Sequence, residues 1–96
     1  MLKHVVFMRF KKDASEAAIA DLEASLGGLP AVIPEIREFQ FGRDILKTER
    51  SYDFALVSAF DNLDAMKRYQ VAPPHLVVLD KVKKLIESIL VVDFEF

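Results

Sequence analysis

Leu2-Lys3-His4-Val5-Val6-Phe7-Met8-Arg9-Phe10-Lys11 reads as an extended strand whose two faces both carry apolar side chains. Leu2, His4, Val6, Met8 and Phe10 fall on one side, and Lys3, Val5, Phe7, Arg9 and Lys11 on the other. Tyr52 to Phe60 repeats the pattern, with Tyr52, Phe54, Leu56 and Phe60 opposite Ala55, Val57 and Ala59. Strands that are apolar on both faces need a cover on each. Helices of the same chain can supply one, and something else has to supply the other.

Outward from these strands the punctuation is regular. Asp13 followed by Glu16 predicts a capped helix with Ile19, Leu22, Leu26 and Leu29 as its buried stripe, ended by Gly27-Gly28. Leu29 to Pro34 holds two prolines and reads as a rigid apolar connector rather than a regular helix. Ile36 to Phe41 alternates as a second strand ending at Gly42, and Arg43 to Ser51 is a polar loop. Past the Tyr52–Phe60 strand, Asp61 with Asp64 opens a short helix through Leu63, Met66 and Tyr69, broken by Pro73-Pro74. A longer helix is predicted from His75 to about Ser88, with Leu76, Leu79, Val82, Ile86 and Ile89 inward. Leu90 to Phe96 is the last strand, Leu90, Val92, Phe94 and Phe96 lying opposite Val91, Asp93 and Glu95.

Strand, helix, strand, strand, helix, strand is the ferredoxin-like α+β order, a four-stranded antiparallel sheet with both helices on a single face. The other face would expose Val5, Phe7 and Val57, a larger patch than soluble monomers tolerate. Hiding even ~500 Å² of it per chain contributes on the order of 10 kcal/mol before association entropy is subtracted. Sheet-to-sheet homodimerisation is the expected remedy.

Composition agrees and excludes much else. With 96 residues, residues 1–96 are one folding unit, and 52% hydrophobic residues against 3 Gly and 4 Pro exclude a disordered or collagen-like chain. Thirteen Lys+Arg against 15 Asp+Glu leave a net charge of -2, which disfavours nucleic acid as a partner. The absence of Cys removes disulfides, thiolate metal sites and cysteine nucleophiles and fits a cytoplasmic setting. The N-terminal apolar run is interrupted by Lys3, His4 and Arg9, so neither a signal peptide nor a membrane anchor is expected.

Three residues stand out chemically. His4 lies mid-strand, while Tyr69 precedes Pro73-Pro74 and His75 follows them. If the helices cover the even face of the first strand, all three line one cavity, where an imidazole and a phenol suit proton abstraction next to a carbonyl and stabilisation of the enolate. The plainer alternative has His75 bonding a backbone carbonyl at its helix start, His4 as a satisfied core histidine and Tyr69 as a packing residue. Asp93 and Glu95 share a strand face as paired carboxylates, for which cross-strand pairing with Lys3 or Arg9 is expected ahead of metal or acid/base work. No metal site, no cofactor and no P-loop, GxGxxG, HExxH or GxSxG motif is read.

His4-Val5-Val6-Phe7-Met8-Arg9-Phe10, Ile33-Pro34 with Phe39-x-x-Gly42, Tyr69-x-x-x-Pro73-x-His75 and Val92-Asp93-Phe94-Glu95 together resemble, in order, the signature of the stress-responsive dimeric α/β-barrel (Dabb) family. The resemblance covers nearly the whole chain. It implies a ferredoxin-like homodimer whose two sheets face each other, with a cleft for a small apolar or aromatic molecule and no established reaction for most members. A plant polyketide cyclase of the family performs an aldol cyclisation with residues that match Tyr69, His75 and His4. Ala72 departs from the commoner Tyr-x-x-His-Pro-x-His pattern and implies a less polar pocket. Some relatives bind a metal through backbone carbonyls at the connector matching Leu29 to Pro34. Cofactor-free monooxygenase or isomerase chemistry follows from the wider superfamily by fold analogy.

Overall fold

The computed structural model describes residues 1–96 and runs β1 Leu2–Phe10, α1 Glu16–Gly27, α2 Leu29–Val32, β2 Glu38–Arg43, β3 Phe54–Phe60, α3 Leu63–Val71, α4 Pro73–Leu85 and β4 Ile86–Glu95. The strands form one antiparallel sheet in the order β2-β3-β1-β4. Register decides what shares a face. His4 lies opposite Ser58 and Asp93, Val6 opposite Leu56 and Val91, and Met8 opposite Phe54 and Ile89. This is the helix-covered side, where His4, Val6, Met8, Phe54, Leu56, Ser58 and Phe60 are buried with Leu22, Leu26, Tyr69, Val78 and Val82. The ferredoxin-like order expected from the strand and helix pattern is thus the one observed.

On the far side Phe7 pairs with Ala55 and Leu90, Val5 with Val57 and Val92, and Lys3 with Ala59 and Phe94. No element of the chain covers this face. Phe7 is 42% exposed, Leu90 51%, Val92 57% and Phe94 47%. No helix is long and apolar enough to cross a membrane.

Element ends differ from the sequence reading for identifiable reasons. Ser15, not Asp13, caps α1, its Oγ accepting from the Ala18 N–H at 3.1 Å, which frees Glu16 to bind Arg43. Likewise Asn62 caps α3 through the Ala65 N–H at 2.9 Å, because Asp61 is taken by Arg37. Leu29–Val32 is a helical turn rather than a non-helical connector, since Pro30 sits in the first turn, where no N–H is needed. Pro73 and Pro74 likewise begin α4 instead of only ending α3. That helix stops at Leu85, ahead of Ser88, and buries Val78, Val82 and Leu85. Leu76 is left outside, and Ile86 and Ile89 belong to a strand that begins four residues earlier than Leu90. β-Branched Ile86, Ile89, Val91 and Val92 fit a strand better than a helix end. β2 is shifted two residues on, taking in Gly42 and Arg43, and β3 begins at Phe54 rather than Tyr52.

Candidate functional site

His4, Tyr69 and His75 reach the same place from three elements. Alternation in β1 turns His4 to the helix side, between Ser58 and Asp93. Tyr69 ends the buried stripe of α3, its ring 4.9 Å from that of Phe60 and 6.4 Å from that of Phe39. The extended backbone of Ala72 and the proline-led first turn of α4 bring His75 back over it, so the two ring centroids are 4.4 Å apart. All three line a cavity of about 260 Å³ that is otherwise mostly apolar, walled by Val6, Met8, Leu56, Val78, Val82 and Val91 among others. Ile89 and Val91, where no helix overlies β4, form an exposed rim.

Each histidine is tied through Nδ1. His75 Nδ1 lies 2.9 Å from the Gln70 carbonyl oxygen, which can only accept, so in the neutral ring the proton is on Nδ1 and Nε2 holds the lone pair. His4 Nδ1 lies 2.5 Å from Asp93 Oδ1 and donates to that carboxylate, leaving its own Nε2. The carbonyl bond expected of a packing His75 is therefore present, and it coexists with a place in the cavity wall. Tyr69 is only 1% exposed, and its hydroxyl makes no hydrogen bond within the chain; no buried polar side-chain atom is both unpartnered and sealed off. The same holds for Nε2 of His4 and of His75, so all three atoms open onto accessible space. Burial pushes the Tyr69 phenol far above its ordinary pKa of 10, so it remains a donor.

Burial lowers the pKa of His75 below the usual 6.5, the hydrogen bond to the Gln70 carbonyl opposes this, and the nearby His4 adds a smaller lowering. At neutral pH the ring is uncharged. The unfolded chain takes up a proton where the folded one does not, so this contribution to stability is complete above 6.5 and is lost as pH falls through 6.5 toward the lowered folded-state value. Wild type is accordingly expected to lose more of its Tm than His75→Gln between neutral pH and about pH 5. Equal losses in two calorimetric scans would contradict it.

Asp93 does not pair with Lys3 or Arg9, as expected from the strand pattern, because antiparallel register sets it across from His4 on the other face. Lys3 instead binds Glu38 at 3.1 Å, and Arg9 lies over the Tyr52 ring. The role of Asp93 as partner to His4 was missed, although β1–β4 adjacency in the expected sheet would have disclosed it. Ala72, half-buried, contributes no polar group to the cavity wall. The carbonyls of Leu29, Ile33 and Pro34 accept from the Ile33 N–H, the Ile36 N–H and Arg37, and no three His, Asp or Glu side chains gather. A larger hollow of about 440 Å³, lined by Phe7, Arg50, Tyr52 and Leu90 among others, lies on the uncovered sheet face and holds no histidine.

Comparisons with known proteins agree with the fold. A family model described as the stress responsive A/B barrel domain matches residues 2–96. The olivetolic acid cyclase of Cannabis sativa is 22% identical over 95 residues, 97% of this chain and 94% of that protein. A dimeric ferredoxin-like protein of unknown function from Thermobifida fusca superposes with a TM-score of 0.91 at 27% identity, over 99% of this chain and 90% of its own. The hydroxynitrile lyase of Passiflora edulis gives a TM-score of 0.86 at 25% identity, over 97% and 90%.

Proposed function

The chain belongs to the stress responsive A/B barrel domain (Dabb) family, and from that premise we propose that it works as a homodimer closed through the uncovered sheet face, each copy holding a small, largely apolar carbonyl compound on which His75, Tyr69 and His4 perform acid–base chemistry. The observation that carries this reading is the meeting of Tyr69, His75 and His4, whose Oη and two Nε2 atoms have no partner within the chain, in the lining of one apolar cavity. Nε2 of His75 takes a proton from the carbon next to the carbonyl. The electron pair moves onto the carbonyl oxygen, and the Tyr69 O–H donates to the charge that develops there. His4, oriented by Asp93, holds the substrate. The step needs no cofactor. Similarity to a cyclase and to a lyase supports a reaction of this general kind, and dimeric relatives of the same fold support the assembly.

The test is a panel of apolar ketones followed in two ways. A ligand at about a hundred times its Kd adds about 2.7 kcal/mol to stability and raises Tm measurably. Dissolved in deuterium oxide, the same ketone is expected to exchange its α-hydrogens faster with the protein than with buffer alone. A panel that moves neither Tm nor exchange overturns the reading.

A further inference from the structure

The hollow of about 440 Å³ on the uncovered sheet face lies apart from the histidine cavity. Phe7, Ala55 and Leu90 stand on the opposite side of the sheet from Val6, Leu56 and Val91, and the two cavities share no lining residue. Its size is that of a small-molecule pocket. Phe7, Tyr52, Phe54 and Leu90 give it apolar walls, and the charged groups along it are Arg43, Asp44 and Arg50. Two of these three are already engaged. Arg43 is held by Glu16 at 2.8 Å and by Glu23 at 2.6 Å, and Asp44 accepts from the Lys47 N–H at 2.6 Å. The Arg50 guanidinium has neither an ion pair nor a hydrogen bond, although the turn that carries it is closed by the Ser51 N–H donating to the Thr48 carbonyl and the Thr48 N–H donating to Ser51 Oγ, both at 3.1 Å.

We propose that this hollow binds a monocarboxylate with an aromatic or hydrocarbon tail, the carboxylate paired with Arg50 and the tail lying on Phe7, Tyr52 and Leu90. A guanidinium presents a planar fork of donors that fits a carboxylate. Asp44, on the same wall, repels a second negative charge, which sets a monoanion ahead of a phosphate. Arg9 adds positive potential from beside the hollow. Its guanidinium lies 4.4 Å from the Tyr52 ring centroid and donates to the Ser51 carbonyl at 3.3 Å, with no carboxylate of its own. Gly42 and Arg43 end β2, and Asp44 and Arg50 belong to the loop after it, at the border of the sheet face. The charged head therefore keeps its way to water when a second copy covers Phe7 and Leu90.

3-Phenylpropionate and 3-phenylpropan-1-ol share one tail and differ in the head. Titration calorimetry at low ionic strength is expected to give the acid about fivefold tighter binding than the alcohol, the upper reach of an exposed ion pair. Arg50→Gln should bring the acid down to the affinity of the alcohol and leave the alcohol unchanged; Arg50 is exposed, so the fold is expected to survive. Salt at about 0.5 M should remove the same preference in the wild-type chain. Amide shifts in nitrogen-15 spectra locate the ligand, with those of Phe7, Ala55 and Leu90 expected to move. No binding of the acid, equal binding of acid and alcohol, or a preference that survives in Arg50→Gln overturns the proposal. Shifts confined to the histidine cavity, at Val6 and Val82, overturn it as well. Each of these results leaves the carbonyl reading standing, because that reading concerns the other face of the sheet.

Discussion

A chain carrying Phe7→Asp is expected to sediment as a monomer at concentrations where the wild-type chain forms the proposed dimer. Phe7 stands near the middle of the uncovered face, between Ala55 and Leu90, and is already 42% exposed in the isolated chain, so the new carboxylate is solvated there and the fold survives. In the proposed dimer the same position is dry. A two-fold interface presents each residue twice, so one substitution introduces two charges with no partner on the page to neutralise them. At ~2 kcal/mol for each, a conservative figure for a buried unpaired charge, the dissociation constant rises about a thousandfold. Sedimentation velocity at micromolar concentration reads the mass, and far-ultraviolet circular dichroism confirms the fold. A folded Phe7→Asp protein that still sediments as the wild-type dimer would exclude the sheet face as the interface.

The second large effect is expected at His75. Glutamine is close to histidine in length and keeps polar atoms to meet the Gln70 carbonyl, but it cannot take up a proton near neutral pH. Removing a positioned general base costs roughly a hundred- to ten-thousandfold. His75→Gln should therefore lose that factor in the rate of α-hydrogen exchange while Kd for the ketone changes by less than about threefold, since an interaction made only in the transition state shows in rate and not in binding. The wild-type rate should fall only at pH values below those at which an ordinary imidazole charges, because burial lowers the pKa of His75 and only the neutral ring accepts a proton. A His75→Gln protein that catalyses exchange at the wild-type rate would take the base assignment away from His75.

How much of this was legible in the residue order depends on the range of the forces involved. Alternation in Leu2–Lys11 and Tyr52–Phe60 is local, and it disclosed both the sheet and its uncovered face. With the faces of β1 known, the helix side of His4 followed, and with it the common cavity of His4, Tyr69 and His75. Competition between near neighbours was less legible. Asp13 and Ser15 are both good caps, as are Asp61 and Asn62, and which one serves turned on Arg37 and Arg43, partners distant in sequence. The border of α4 and β4 was blurred because Leu79, Val82, Ile86 and Ile89 keep a helical period across a boundary set by pairing with β1. The tie between His4 and Asp93 spans 89 positions and became visible only with strand order.

β4 alternates between two duties. Ile89 and Val91 border the cavity and Asp93 holds His4, while Leu90, Val92 and Phe94 face the uncovered side. From Ile89 to Glu95 every residue is exposed in the isolated chain, which by ordinary reasoning would make this strand the most forgiving place for mutation. The opposite is expected. Neither parity of the strand is neutral, so drift in β4 is constrained at consecutive positions. A library of substitutions there should resemble that of a buried strand, with survivors confined to small changes in size and few changes in polarity.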